Sequence, residues 1–452
     1  MSDADHFSYK PSLLEEACRW LYSLLLVVLI PLVYFQLAAK SKKEKSAYQS
    51  RFLERIGFVP SPNQKNGYLF HCVSVGEVVA ASCLIKRIMA LNPSTHITIT
   101  TTTATGSARV NAIFGDSVQH FYLPFDLPFS MNRLLKRVQP KAVFITEVEL
   151  WPNLIHACWS KHIPSIVINA RMTERSAKRY TKIGKLFLPM LSKVSHVCAQ
   201  GQRDYDNYKL LGINEDKLTL TNNIKFDQAA SVQGRGENTG HHTQPTFLGL
   251  SSNARPIFVA GSTHEGEETV VIETLLALLK DDSLPFTAST SPLVIIVPRH
   301  PERFTHVEKM LESTPLRFVK SSDSSSVADD TNIVLLNEMG KLNRAYSVAT
   351  YAFVGGSIAD KGGHNALEPA AFSLPIMMGP NRYNNPVICE HLSECGALSV
   401  VTNATDMTAC LKYWIQNPSA AALAGSAGKE VLKQNSGAID VTLKCISKYV
   451  TH

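Results

Sequence analysis

From Tyr68 onward, short apolar runs alternate with segments whose apolar residues recur at helical spacing, and no other feature narrows the available folds as much. The strand-like runs of the first half are "YLFHCV" (68–73), "HITITTTT" (96–103), "AVFIT" (142–146), "SIVINA" (165–170) and "HVCAQ" (196–200). Between them lie helical stretches such as "EVVAASCLIKRIMAL" and "LWPNLIHACWSKH". Strands and helices alternating in this way form right-handed βαβ units around a parallel sheet.

The alternation stops over residues 228–254, a stretch rich in Gly, Ser, Thr and Gln without periodicity, which reads as a linker or long surface loop. It resumes with "PIFVAGS" (256–262), "LVIIVP" (293–298), "NIVLL" (332–336), "TYAFVGGS" (350–357) and "LPIMMG" (374–379); the polar run "KSSDSSSVADD" (320–330) reads as a loop. The 452 residues are about three times a 150-residue domain. The expected organisation is a tail with an apolar segment (1–45), an α/β domain (46–227), the linker (228–254) and a second α/β domain (255–452). Two doubly wound, Rossmann-like halves place a cleft between the carboxyl ends of two sheets, a GT-B-type arrangement that other two-domain α/β proteins share.

Hydrophobic residues make up 45% of the chain and charged residues 18%, which describes a globular protein with ample core. Nine cysteines, an odd number without a Cys-x-x-Cys pair, argue for a reducing compartment and against a disulfide framework. Cys389 and Cys395 read as marking a helix face. The net charge of +7 suits anionic surfaces, and no nucleic-acid partner is expected.

"WLYSLLLVVLIPLVYFQLAA" (Trp20 to Ala39) carries no charge and has interfacial aromatics near both ends. Acidic residues precede it and "KSKKEK" follows, so the positive-inside rule puts everything after residue 40 in the cytoplasm. A single membrane-spanning or firmly embedded anchor is expected, with an interfacial helix broken at Pro31 as the other option. On this reading the segment supplies no core to the first sheet, and a chain lacking residues 1–40 folds without it.

Chemistry-bearing residues collect where strands hand over to helices. In "YLFHCVSVGEVVAASCL", Gly76 permits a tight turn and Glu77 falls in the first helical turn. A carboxylate there is either a helix-dipole partner, worth about 0.3–1 kcal/mol, or a general base facing the crevice. The helix terminus is expected to keep it ionised at neutral pH. "ITEVELWPNLI" brings Glu147 and Glu149 to an equivalent corner, with helix capping as the plainer reading. "NARMTERSAKRY" carries Arg171, Arg175, Lys178 and Arg179, a solvated helix face or a holder for head-group phosphates. Lys225 lies in "NNIKFD", before the linker.

The second half offers "AGSTHEGEE", a strand, tight turn and acidic helix start; "VPRHPERF", with Arg299 and His300; and "GGHNALEPAAF", a Gly-rich turn opening a helix with Glu368 in its first turns. Gly-rich turns at helix starts suit phosphate. No Walker lysine motif, first-strand G-x-G-x-x-G, His-x-x-x-His or zinc spacing is present, and one Asp-x-Asp, Asp3 to Asp5, lies in the tail. A metal-bound nucleotide sugar is therefore disfavoured, and no cofactor is expected.

Taken together, "RFLERIGF", "HCVSVGE", "TEVELWPN", "NAR", "NNIKFD", "STHEGEE", "VPRHPERF", "AFVGGS" and "GGHNALE" resemble, in order, the 3-deoxy-D-manno-octulosonic acid (Kdo) transferases, inverting GT-B enzymes of lipopolysaccharide assembly. The resemblance implies transfer of Kdo from CMP-Kdo, a substrate, to a lipid A precursor at the cytoplasmic face of the bacterial inner membrane, without metal. Its partners are then CMP-Kdo, the lipid A precursor and the anionic membrane surface. Glu77 matches the general base that deprotonates a lipid hydroxyl, and Glu147 and Lys225 match transition-state stabilisers. Pro298 and Arg299, then Met339, Gly340 and Lys341, then Asn365, Ala366, Leu367 and Glu368 match three CMP-binding segments. Lys341 stands where the family usually has Glu, adding positive charge near the nucleotide, and Ala366 where Pro is usual. Rival readings are a GT-B transferase or epimerase for another nucleotide sugar, and a non-catalytic assembly scaffold with the same fold.

Overall fold

A computed structural model describes residues 9–38, 51–62, 64–237, 247–250, 255–284, 286–287 and 290–449. The chain forms two compact units, Met1–Asp227 with Ser436–His452, and Gln228–Asn435.

The strands of the first unit are β1 (Tyr68–His71), β2 (Ile97–Thr101), β3 (Gln119–Tyr122), β4 (Ala142–Thr146), β5 (Ser165–Ala170), β6 (His196–Ala199) and β7 (Leu218–Leu220). They make one parallel sheet in the order β3-β2-β1-β4-β5-β6-β7. The inner strands β2, β4, β5 and β6 are buried at every position, as a sheet covered on both faces requires. Its two faces hold separate apolar clusters, one around Leu69, Val143 and Val167, the other around Phe70, Phe144 and Ile166. The order reverses between β1 and β4. Ligands of doubly wound sheets bind at the carboxyl ends flanking such a point.

The second unit repeats the plan. Its strands β8 (Ile257–Thr263), β9 (Leu293–Pro298), β10 (Phe318–Lys320), β11 (Ile333–Leu335), β12 (Tyr351–Val354), β13 (Ile376–Met378) and β14 (Leu398–Val400) run parallel in the order β10-β11-β9-β8-β12-β13-β14. The switch point lies between β8 and β12, so the loops after these two strands border the equivalent crevice.

Three expectations change. First, among the described residues no helix is long and apolar enough to cross a membrane. The helix Leu13–Ala38 instead docks its first turns on the first unit. Arg19 Nη1 donates to Asn153 Oδ1 (2.9 Å), Asn153 Nδ2 to Ser23 Oγ (3.0 Å) and Lys193 Nζ to Glu16 Oε1 (3.1 Å). Tyr22 donates to Asp126 (3.1 Å), whose carboxylate also accepts the Asn153 and Leu154 N–H groups and so caps the helix Pro152–Ser160. Burial pushes the Asp126 carboxyl up to about 6. The segment therefore does contribute to the first unit: its polar residues, placed before and among the apolar ones, are contact groups. Arg19→Ala is expected to cost about 1.5–3 kcal/mol, the range for buried charge-assisted hydrogen bonds. Removing residues 1–30 should cost more, and thermal unfolding of both forms measures it; an unchanged transition would show that the docking is energetically idle.

Second, the described residues of the expected linker carry regular structure. The helix Ile224–Glu237 runs into it, and Phe247 and Leu250 bridge each other and bury in the second unit's core. Third, the chain end belongs to the first unit, not the second. The helix Ala438–Ile446 packs against β6 and the helix Val75–Leu91. Asp227 caps its start, accepting the N–H groups of Gly437 and Ile439, the latter at 2.6 Å. One carboxylate thus pins the two points where the chain leaves and re-enters the unit.

Candidate functional site

In the first unit the switch point gathers acidic groups. Ser74 caps the helix Val75–Leu91, and Glu77, three residues on, turns its carboxylate back toward the strand end. Glu77 Oε2 accepts the Val73 N–H (2.7 Å) and Oε1 the Ser74 hydroxyl (2.9 Å), a variant of the capping box. The sequence "SVGE" contains this Ser-x-x-Glu signal. The expectation of a carboxylate kept ionised by the helix terminus does not hold. Burial pushes Glu77 up to about 7, the Val73 hydrogen bond opposes, and Glu147 and Glu149 push further up. Desolvation and two nearby like charges outweigh the dipole because Glu77 is only 9% exposed.

Glu147 follows β4 in a left-handed conformation (φ 57°), with its N–H bonded to Ile168 O at 3.0 Å. Its carbonyl accepts the Arg171 N–H (3.4 Å), which ties the backbone of half-buried Arg171 to that of Glu147. Glu149 is also raised, by burial first and by the charge of Glu147. Asn169, fully buried at φ 50°, reaches from β5 to accept the Ile224 N–H (3.1 Å). It fixes the start of the helix that carries Lys225. The structure thus groups Glu77, Glu147 and Arg171, and places Lys225 by way of Asn169. Arg175, Lys178 and Arg179 are exposed on the helix Glu174–Lys182, the solvated face that was the plainer reading. A separate cavity of about 730 Å³ is lined by Arg51, Lys65, Arg133, Lys136 and Arg137 together with Phe58, a cationic and apolar combination that sequence spacing did not reveal.

In the second unit, Thr263 pairs in register with Pro298, and the Arg299 N–H donates to Thr263 O (3.0 Å), so Arg299 lies beside the end of β8. Glu368 opens the helix Leu367–Ala371; burial raises its carboxyl, against Asn365 and Arg299, which lower it. Asn365 Oδ1 accepts the Leu367 N–H (3.2 Å), and Ala366 is buried beneath this start. Met339 and Gly340 (φ 83°) are exposed in the loop after β11. Lys341 Nζ donates to Glu338 Oε1 at 2.6 Å, so the charge it adds where the family has Glu is balanced within its own turn.

Four residues here were not singled out from the sequence. Fully buried Glu267 accepts five N–H groups: His264 and Gly356 on Oε2, Ser357, Ile358 and Ala359 on Oε1, at 2.8–3.1 Å. It shapes the loop after β12. At Gly355 a Cβ would sit 2.4 Å from Ser262 O and 2.8 Å from the Glu267 carboxylate, so only glycine fits. His264 and His364 lie Nε2 to Nε2 at 2.9 Å with stacked rings. Burial, His300, Lys361 and two arginines hold His264 down to about 4; burial and Arg299 do the same for His364. Both histidines are thus neutral, held down by burial first and by neighbouring cations second. The motifs "STHEGEE", "AFVGGS" and "GGHNALE" contained these residues, but nothing local says that one glutamate serves a loop about 90 residues away.

Residues 50–228 match the family model described as 3-Deoxy-D-manno-octulosonic-acid transferase (kdotransferase). A 3-deoxy-D-manno-octulosonic acid transferase of Haemophilus influenzae is 37% identical over 435 residues, covering 96% of this chain and 99% of the relative. One from Bordetella pertussis is 29% identical over 377 residues, covering 81% and 84%. Among solved structures, the UDP-GlcNAc 2-epimerase of Neisseria meningitidis aligns with a TM-score of 0.58 at 12% identity over 85% of this chain and 100% of that one, a likeness of fold alone.

Proposed function

The chain belongs to the 3-deoxy-D-manno-octulosonic acid transferase family, and from that premise we propose an inverting transfer of Kdo from CMP-Kdo to a hydroxyl of a bis-phosphorylated lipid A precursor, with Glu77 as base. The observation that carries this reading is Glu77 itself. It is held by two hydrogen bonds at the switch point and raised to about 7, so it takes up a proton near neutral pH. The acceptor oxygen attacks the anomeric carbon from the face opposite the phosphate as its proton passes to Glu77. The bond from that carbon to the phosphate oxygen breaks, and CMP leaves with the bonding electrons. Glu147 and Lys225 stabilise charge that develops during the transfer.

On the donor side, Arg299, Lys361 and the neutral His264–His364 pair suit the phosphate and carboxylate of a CMP-sugar. Glu368, with its raised carboxyl, suits ribose hydroxyls, and the segments Pro298–Arg299, Met339–Lys341 and Asn365–Glu368 complete the nucleotide site. The countercharge for the leaving phosphate comes from Arg299 and Lys361, and the reading assigns no metal to the transfer. Arg299→Ala is expected to weaken CMP binding about ten- to a hundredfold. Calorimetry measures it; unchanged affinity in both Arg299→Ala and Glu368→Ala would place the nucleotide elsewhere.

A location on the cytoplasmic face of the inner membrane is part of the same proposal. Beyond its docked turns, the helix Leu13–Ala38 exposes Leu24 (62%) and Val28 (69%) with Leu21, Leu25 and Val27. Such a face suits an interfacial anchor lying in the head-group region. The cationic cavity lined by Arg51 and Arg133 supplies further attraction for anionic lipid. Mass spectrometry of the products from lipid IVA and CMP-Kdo tests the whole reading. One or more added Kdo residues are expected. No product with CMP-Kdo, alongside thermal stabilisation by UDP and not CMP, would replace it with another nucleotide-sugar activity.

A further inference from the structure

Two residues of β6 and one from the far end of the chain converge inside the first unit. His196 and Cys198, two positions apart on one face of β6, meet Cys445 of the helix Ala438–Ile446. One ring nitrogen and two sulfurs lie within 4.8 Å of one another, and all three residues are buried. Both thiols are free. The surroundings already orient the donors. His196 Nδ1 is 2.9 Å from the Tyr449 hydroxyl, and Nε2 is 2.9 Å from the Thr219 hydroxyl; Thr219 stands beside Cys198 in the β6–β7 register.

We propose that His196, Cys198 and Cys445 bind a soft divalent metal ion, zinc by preference, which fastens the returning C-terminal helix to the sheet. Two thiolates and an imidazole are the donors such an ion selects over hard cations. With Nδ1–H donating to the Tyr449 hydroxyl, from just beyond the same helix, Nε2 ligates the ion and gives up its contact with the Thr219 hydroxyl. As the ion binds, the two sulfurs release their protons to solvent, so affinity rises with pH. His196 opens β6 at the sheet's amino-terminal edge, whereas Glu77 and Glu147 follow strand ends at the carboxyl edge. The ion therefore serves structure, and it stands apart from the transfer chemistry. Spacing could not announce it: the ligands are 247 residues apart, counted from Cys198 to Cys445.

The test is metal analysis of the purified full-length chain by mass spectrometry, after dialysis against metal-free buffer and again after exposure to micromolar zinc. One ion per chain is expected in the unaltered protein and in Cys395→Ser, a control at an exposed cysteine. Cys445→Ser and His196→Asn should lose it, with circular dichroism confirming that each is folded. Cobalt loading should give the sulfur-to-metal charge-transfer band of thiolate ligation, absent in Cys445→Ser, and chelation should lower the melting temperature of the unaltered chain by several degrees. If His196→Asn fails to fold, Cys445→Ser, a near-isosteric change, decides alone. No metal at micromolar zinc would overturn the proposal, as would stoichiometric metal that survives Cys445→Ser. An intact mass short by two hydrogens, restored by reductant, would make the pair a disulfide and overturn it equally.

Discussion

Glu77→Gln should lower turnover about 10²–10⁴-fold while leaving CMP affinity unchanged, because the residues proposed for the nucleotide all lie in the second unit and Glu77 in the first. The pH dependence sharpens the expectation. Only the ionised carboxylate accepts a proton, so kcat/KM of the unaltered enzyme should rise with pH through about 7, where burial and the neighbouring Glu147 and Glu149 place Glu77. The variant's residual rate should lack that limb. Stability should move the opposite way. A carboxyl raised above its unfolded value binds more protons in the folded state, so its contribution is full below about 4.5 and is lost as pH rises through about 7. Glu77→Gln removes that loss, and above neutrality the variant should be more stable than the parent by up to about 3 kcal/mol. Urea titrations at pH 5 and pH 8 measure the difference. A variant with near-normal turnover, or a parent rate flat across pH 6–8, would take Glu77 out of the proton transfer.

The second large effect is expected at Glu267, which no motif singled out. Among the described residues its carboxylate is the one hydrogen-bond acceptor for the N–H groups of Gly356, Ser357, Ile358 and Ala359, and it accepts His264 N–H as well. Each buried donor left without an acceptor costs about 1–3 kcal/mol. Glu267→Ala strands several at once and opens a cavity beside Gly355, so a loss above about 4 kcal/mol is expected, within reach of unfolding the second unit. Glu267→Gln tests the charge at constant shape: its amide would turn two hydrogens toward N–H groups that need an acceptor. Both variants should lower the urea midpoint of the second unit. The Gln variant, where still folded, should also bind CMP at least tenfold more weakly, because the loop it shapes carries His364 and Lys361. Midpoints and affinities matching the parent's would mean that the loop holds its form without this carboxylate.

Ten of the fourteen strands coincide with apolar runs visible in the sequence; the other four are β3, β7, β10 and β14. These are the four edges of the two sheets. An inner strand such as β4 is buried at all five positions and must be apolar throughout, whereas β10 is only half-buried and β7 has one buried residue of three. Edge strands pair on one side only, so their residues answer to solvent as much as to the core. The docking of the helix Leu13–Ala38 on the first unit was beyond the sequence for a related reason. The helix's apolar count is that of a buried segment, but Arg19 and Ser23 bind Asn153, 134 and 130 residues on, and no local rule anticipates such partners.

What the sequence determined by itself was whatever follows from period and corner: two parallel α/β sheets, the carboxylates Glu77 and Glu147 at neighbouring strand ends, the Gly-rich turns of the second unit, and through nine ordered motifs the family. These are short-range facts, because a strand's burial and a helix's first turn are written within a few residues. The tertiary structure decided the rest. It raised Glu77 by desolvation and by two other carboxylates, gave Glu267 a distant loop to hold, balanced Lys341 with Glu338, and returned residues 436–452 to the first unit. Each of these depends on which groups share a low-dielectric space, and chain separation carries no record of that distance.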